Sequence, residues 1–114
     1  MDVNELNNEY IDVEGALKRV GGNMDLYKRL LGRFIDGNNL DPLCAAIDSG
    51  DMEEAARLTH TIKGVSSNLS LTKIASLSVQ LEQLIKDNAD HNACLSEFKQ
   101  AYNTTIEKIA EITG

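Results

Sequence analysis

The sequence predicts an all-α protein, an up-and-down antiparallel four-helix bundle with short additional helices near its N-terminus. Apolar residues recur at spacings of three and four, the periodicity of a helix with one buried stripe. The chain has one proline and no tryptophan, and 42% of its 114 residues are hydrophobic, which suits a single helical core. Four long amphipathic segments are joined by short connections, and short connections place successive helices antiparallel.

The length and charge of the chain indicate how many domains it has and which kinds of partner it can bind. We expect one domain over residues 1–114, with residues 1–10 as a lead-in and the bundle from about residue 12 to residue 112. The net charge of -7 and the scattered basic residues argue against binding to nucleic acid. The chain has no apolar run of about 18 residues, and its start is acidic and polar. We therefore expect no membrane association and a cytoplasmic location.

The first two helices are predicted from their caps. Asp12 can cap a helix over residues 13–20, which the glycines at residues 21–22 would end. Asn23 can then cap a longer helix from residue 24 to about residue 36. The core-facing residues of this longer helix are Tyr27, Leu30, Leu31, Phe34 and Ile35.

A third helix and the start of a fourth are indicated by proline and by aspartate. Asp41 and Pro42 suit the N-cap and first residue of the third helix, because proline lacks the N–H that has no partner there. This helix should run to residues 49–50. Asp51 restarts the chain as a helix at once, with Glu54 three residues later as its capping-box partner.

The helix from Asp51 to Leu69 carries the stretch with the clearest chemistry. Its apolar stripe consists of Ala55, Leu58, Ile62, Val65 and Leu69. At about 100° per residue, His60 points away from that stripe and should face solvent. Gly64 lies one turn beyond His60, where glycine costs about 1 kcal/mol relative to alanine. Such a glycine would let another molecule approach the imidazole, and Lys63 could hold an anion there.

The last two helices complete the predicted bundle. Ser70 is predicted to cap a helix whose apolar stripe runs from Ile74 to Ile85. After a break at residues 87–90, the final helix should run from about His91 to Ile112. We interpret several other residues as structural, namely the aromatic residues Tyr27, Phe34, Phe98 and Tyr102 as core, Cys44 and Cys94 as reduced thiols packed as small hydrophobes, and His91 as an isolated residue at a helix start.

The residues THTIKGVSSNL at positions 59–69 resemble the signature of the histidine phosphotransfer (HPt) domain, in which a phosphorylatable histidine is followed by x-x-Lys-Gly. The residues IDVEGALKRVGGN at positions 11–23 are similar to the first segment of HPt modules at the ends of hybrid sensor kinases. Ser49-Gly50-Asp51 fits the family pattern as well. The resemblance extends from residue 11 to about residue 87, and the final helix is too generic to count.

This resemblance implies a carrier that accepts a phosphoryl group from the aspartyl phosphate of one response-regulator receiver domain and passes it to another. His60 would be the phosphorylated nucleophile, through its Nε2, and Lys63 would orient the phosphate. The receiver domains, expected to be those of a hybrid sensor kinase, would dock on the face formed by Glu53, Ala56, Arg57, Gly64 and Ser67. No cofactor or metal is expected on this chain, since Mg²⁺ would come from the receiver, and we expect a monomer.

Two positions depart from the family pattern. Ser70 stands where the family usually has glycine, so a cap would build the turn instead. Glu82 stands where family members often carry another polar residue on the neighbouring helix. Its carboxylate could repel phosphate, or it could hold the imidazole of His60 or the ammonium group of Lys63.

Two other functions need to be distinguished from the carrier. A histidine kinase would phosphorylate His60 itself, but the chain shows no Gly-rich nucleotide loop, so we expect no enzyme with its own ATP site. An adaptor bundle would bind receiver domains without accepting phosphate. Signalling through an adaptor would survive His60→Gln, whereas signalling through a carrier would not.

Overall fold

The computed structural model describes residues 6–113, and six helices lie entirely within that range. They are α1 (Val13–Arg19), α2 (Met24–Gly37), α3 (Leu40–Asp48), α4 (Met52–Asn68), α5 (Thr72–Lys86) and α6 (Asn92–Thr113). No residue of the described range lies in a strand, so the predicted all-helical fold is confirmed. Residues 1–5 of the predicted lead-in lie outside the described residues.

The four longest helices form the bundle. α4 packs along α5, α5 packs along α6, and α6 packs against α2. The shorter helices lie at the sides, with α3 against α4 and α1 against α2. The fourth side, between α2 and α4, contains a groove of about 480 Å³. This groove is lined by Leu30, Arg33, Phe34, Gly37, Asn39, Val65, Asn68 and Leu69.

Three of the predicted helix caps are confirmed. Asp12, Asn23 and Asp51 each accept a hydrogen bond from the backbone N–H three residues later, at 3.0, 3.0 and 3.2 Å. The capping box at α4 is only half formed. The Glu54 carboxylate accepts hydrogen bonds from Arg57 instead of turning back to Asp51. The backbone N–H of Asp51 is already used, because it donates to the carbonyl of Ala46 at 2.9 Å.

The start of α3 differs from the prediction. The helix begins at Leu40, two residues before Pro42, and the side chain of Asn39 makes no capping hydrogen bond to the described residues. Leu40 is buried, and packing of this side chain brings the chain into the helix earlier than the cap pattern indicated. The Asp41 carboxylate accepts a hydrogen bond from the Asn38 amide at 2.9 Å. The proline costs no helical hydrogen bond, because N–H groups of the first turn have no intrahelical partner.

The turn between α4 and α5 is built without a serine cap. Ser70 has a φ of +58°, in the left-handed region that favours glycine, and Leu71 occupies the N-cap position of α5. The N–H of Ser70 donates to the carbonyl of Ser67 at 3.2 Å. The N–H of Leu71 donates to the carbonyl of Ser66 at 2.8 Å, which completes a Schellman motif. The predicted capping role of Ser70 is therefore wrong, since the serine adopts the backbone conformation of the glycine it replaces.

The buried face of α4 is rotated relative to the predicted stripe. Val65 is 36% exposed, whereas Thr59 and Ser66 are buried. The hydroxyl of Thr59 donates to the carbonyl of Ala55 at 2.7 Å, and that of Ser66 donates to the carbonyl of Ile62 at 2.6 Å. A hydroxyl that finds its partner within its own helix can enter the core. The apolar pattern alone therefore misplaced one edge of this face.

The four aromatic residues predicted for the core are buried. The rings of Phe34 on α2 and Tyr102 on α6 lie 5.3 Å apart with their planes tilted by 33°, so α2 and α6 meet through an aromatic pair. Within α6, the ring of Phe98 lies 6.0 Å from that of Tyr102. The Tyr27 hydroxyl donates to the carbonyl of Leu69 at 2.7 Å, which joins α2 to the end of α4. Both cysteines of the described range are free and half-buried, and burial raises the pKa of each thiol.

Candidate functional site

His60 lies on the exposed face of α4. Its side chain is 66% exposed, although its neighbours Thr59 and Ile62 are buried. Lys63 follows one turn later with 34% of its side chain exposed. Gly64 is exposed, and a Cβ added there would meet none of the described residues beyond its own helix within 4 Å. The predicted outward orientation of the imidazole is confirmed.

A buried carboxylate from α5 completes the site. Glu82 is 6% exposed, and its Oε2 lies 3.1 Å from Nδ1 of His60. The same oxygen lies 3.1 Å from Nζ of Lys86. The other oxygen, Oε1, lies 3.5 Å from Nζ of Lys63. The carboxylate therefore contacts the imidazole and two ammonium groups together.

These partners determine the charge of Glu82. Burial by itself raises the pKa of its carboxyl, because a charge removed from water is unfavourable. The hydrogen bond from Lys86, the charges of Lys63 and Lys86 and the hydrogen bond from His60 lower this pKa by more, so that it falls below its usual value of 4.5. Glu82 is therefore a carboxylate at neutral pH.

The charge of Glu82 also selects the tautomer of His60. A carboxylate only accepts hydrogen bonds, so the 3.1 Å contact to Nδ1 requires a proton on that nitrogen. In a neutral imidazole the lone pair then belongs to Nε2. In this tautomer, Nε2 is the ring nitrogen that can act as a nucleophile.

The other predicted site residues lie along the same exposed face. Glu53, Arg57, Gly64 and Ser67 are exposed, and Ala56 is half-buried. The guanidinium group of Arg57 is paired with the Glu54 carboxylate on its own helix. The backbone carbonyl of Ser67 accepts a hydrogen bond from the Arg19 guanidinium group of α1. Three of these residues, Ala56, Gly64 and Ser67, are small, and they lie before and after His60 on α4.

Two large apolar side chains of the described residues are exposed, and both are valines. Val65 belongs to α4 and borders the groove between α2 and α4. Val79 belongs to α5, three residues before Glu82, and is 55% exposed. Exposed apolar surface is therefore present on both α4 and α5.

Sequence reasoning left the role of Glu82 open and missed Lys86. The structure decides in favour of contact with the imidazole and with Lys63. A signal was present in the sequence, because Glu82 occupies a stripe position between the buried Leu81 and Ile85. Lys86 follows at the i+4 spacing of a helical ion pair. A glutamate in an apolar stripe with a lysine one turn later indicates a buried, paired carboxylate.

Comparison with known proteins identifies the family. The family model of the Hpt domain matches residues 30–111, most of the chain. The chain belongs to the Hpt domain family. Hpt domains are phosphocarriers that act in the phosphorelays of two-component signalling and interact with receiver domains of response regulators. Neither the curated proteins nor the solved structures that were compared with the chain gave a match.

The described residues contain neither a membrane-spanning helix nor a cluster of metal-binding side chains. Within residues 6–113, no helix has both the length and the apolar character needed to cross a bilayer. In the same range, no three side chains of histidine, cysteine, aspartate or glutamate are grouped so that they could hold a metal ion.

Proposed function

We propose that His60 of this Hpt domain accepts a phosphoryl group from the aspartyl phosphate of one receiver domain and transfers it to a second receiver. The contact between Nδ1 of His60 and the buried carboxylate of Glu82 carries this proposal. It holds the ring in one orientation and in the tautomer whose lone pair is on Nε2. The 66% exposure of the side chain lets a second protein reach that nitrogen.

The transfer follows from this arrangement. Nε2 of His60 attacks the phosphorus atom, a P–N bond forms, and the P–O bond to the aspartate of the receiver breaks. The aspartate leaves as a carboxylate, and the ring becomes an imidazolium that keeps its Nδ1 proton. Glu82 accepts a hydrogen bond from that proton and stabilises the positive charge that develops on the ring. The reverse sequence delivers the phosphoryl group to the next receiver.

Lys63 supports the phosphoryl group in this mechanism. Phosphoryl transfer depends mainly on positioning and on cations near the equatorial oxygens. Lys63 lies one turn from His60 on α4, and its ammonium group is already 3.5 Å from Oε1 of Glu82, the carboxylate whose other oxygen contacts the imidazole. Mg²⁺ and its acidic pocket would come from the receiver domain, so this chain would need no cofactor of its own.

Docking of the receiver would use the face around His60, with Glu53, Ala56, Arg57, Gly64 and Ser67 in contact. Gly64 leaves room one turn from the imidazole, because a Cβ there would have no neighbour among the described residues beyond its own helix within 4 Å. The exposed Val79, one turn before Glu82 on α5, would lie at the edge of the same contact. A monomer in the cytoplasm, acting with the receivers of a hybrid sensor kinase, suits this role.

The test is transfer from a radiolabelled phospho-receiver to the wild-type chain, His60→Gln and His91→Gln. We expect label on the wild type and on His91→Gln but none on His60→Gln, and the label should be labile in acid and stable in alkali. Label that persists in His60→Gln would refute the site. Binding of receivers without any label would favour an adaptor, and labelling by ATP and Mg²⁺ alone would indicate a kinase.

A further inference from the structure

One oxygen of Glu82 is shared by Lys86 and His60. Nζ of Lys86 and Nδ1 of His60 each lie 3.1 Å from Oε2, and Nζ of Lys63 lies 3.5 Å from Oε1. Two ammonium groups are therefore held against one carboxylate beside the imidazole. When the imidazole is neutral and no phosphoryl group is bound, the two ammonium groups exceed the single carboxylate by one positive charge.

The contact between Lys86 and Glu82 differs from an ordinary helical pair. Glu14 and Lys18 of α1 have the same i,i+4 spacing, but their charged atoms are 4.0 Å apart and both side chains are more than half exposed. Glu82 is almost completely buried and turns its carboxylate to His60 and Lys63 of the neighbouring helix. Because Lys86 is paired with this carboxylate, its ammonium group and the imidazole of His60 contact the same oxygen of Glu82.

We propose that Lys86, together with Lys63, binds the phosphoryl group carried by His60, and that Glu82 holds both ammonium groups in place until that group arrives. This inference rests on the proposed function of His60. A lysine ammonium group lies at the end of a flexible stem with three donors. The side chain of Lys86 is 57% exposed, so rotation of its stem can move Nζ from the carboxylate to a phosphoryl oxygen.

Charge balance supports this exchange of partners. The incoming phosphoryl group brings a charge of about -2, and the ring of His60 becomes positive when the P–N bond forms and the P–O bond of the aspartyl phosphate breaks. Glu82 then keeps the Nδ1 proton as its partner, which releases Lys63 and Lys86 for the phosphoryl oxygens. The excess positive charge of the empty cluster is neutralised in the phosphorylated state.

The first experiment follows the lysine Nζ signals by NMR while phosphoramidate, a small phosphoryl donor, loads the intact chain. We expect the signals of Lys63 and Lys86 to move and that of Lys108, paired with Glu111 on α6, to stay. The same experiment on His60→Gln shows which signal changes come from phosphorylation of His91, the other histidine of the chain. A loaded chain in which the Lys86 signal does not move would overturn this inference alone. A chain that does not load at all would refute the proposed function and this inference with it.

The second experiment measures the equilibrium constant for transfer from a phospho-receiver to the chain. Lys86→Gln should lower this constant about threefold, the size expected for one partly exposed ion pair. Lys86→Arg should restore it, because the charge is kept. Lys108→Gln removes the same charge from the Lys108–Glu111 ion pair of α6 and should leave the equilibrium constant unchanged. Equal constants for the wild type and Lys86→Gln, or no rescue by arginine, would show that Lys86 does not bind the phosphoryl group.

Discussion

The substitution Gly64→Ala separates the requirements of folding from those of function at the proposed site. Gly64 lies inside α4, one turn after His60, and is exposed. A Cβ at this position would meet none of the described residues beyond its own helix within 4 Å. The chain itself therefore has no steric need for glycine here. We expect the alanine variant to be more stable than the wild type and slower in phosphoryl transfer.

The size of both effects follows from this geometry. Alanine in an unobstructed helix interior is about 1 kcal/mol more favourable than glycine. For a chain of 114 residues, this gain corresponds to a rise of about 3–5 °C in melting temperature. The new methyl group would stand in the path of a docking receiver. A displacement of about 1 Å at reacting atoms can cost up to about 100-fold in rate, so we expect transfer to slow at least about tenfold.

Gly32→Ala is the matched control. Gly32 lies inside α2, and a Cβ there also meets no described residue beyond its own helix within 4 Å. It should gain similar stability without any change in transfer, because α2 does not carry His60. Thermal unfolding followed by circular dichroism and single-turnover transfer from a phospho-receiver measure the two quantities. Loss of stability in Gly64→Ala, or normal transfer in a stabilised variant, would refute the reasoning.

Three further predictions test other parts of the structure. Ser70→Gly should raise the free energy of unfolding by about 0.5–1 kcal/mol in urea denaturation, because it relieves the left-handed serine. The same change at Ser76, inside α5, should lower it by about 0.5 kcal/mol. Glu82→Gln should destabilise the chain at pH 7. Because folding lowers the pKa of Glu82, the wild type should exceed this variant in free energy of unfolding by the full amount above about pH 4.5, and the difference should disappear as the pH falls through the lowered pKa. A difference that does not depend on pH would contradict this. Tyr27→Phe should cost about 1–3 kcal/mol, since it leaves the carbonyl of Leu69 without its 2.7 Å hydrogen bond, and an unchanged unfolding midpoint would count against that contact.

Much of the fold could be predicted because it depends on local chemistry. The caps at Asp12, Asn23 and Asp51 need only a side-chain acceptor and the N–H three residues later. The errors at α3 and at Ser70 came from longer-range packing. Burial of Leu40 starts α3 early. At Ser70, the Schellman turn imposes a left-handed backbone conformation that serine by itself disfavours. A long-range contact supports this conformation, because the carbonyl of Ser70 accepts a hydrogen bond from the N–H of Asp12.

The sequence by itself determined the helical fold, the exposed His60 and the nearby Lys63 and Gly64, because helical periodicity relates residues of one helix to one another. Only the tertiary structure decided that Glu82 holds the imidazole and that Lys86 joins it. These contacts cross from α5 to α4, and their geometry depends on how the two helices pack. Periodicity carries no information about the register between helices, so the charge and tautomer of the site became visible only when both helices were in place.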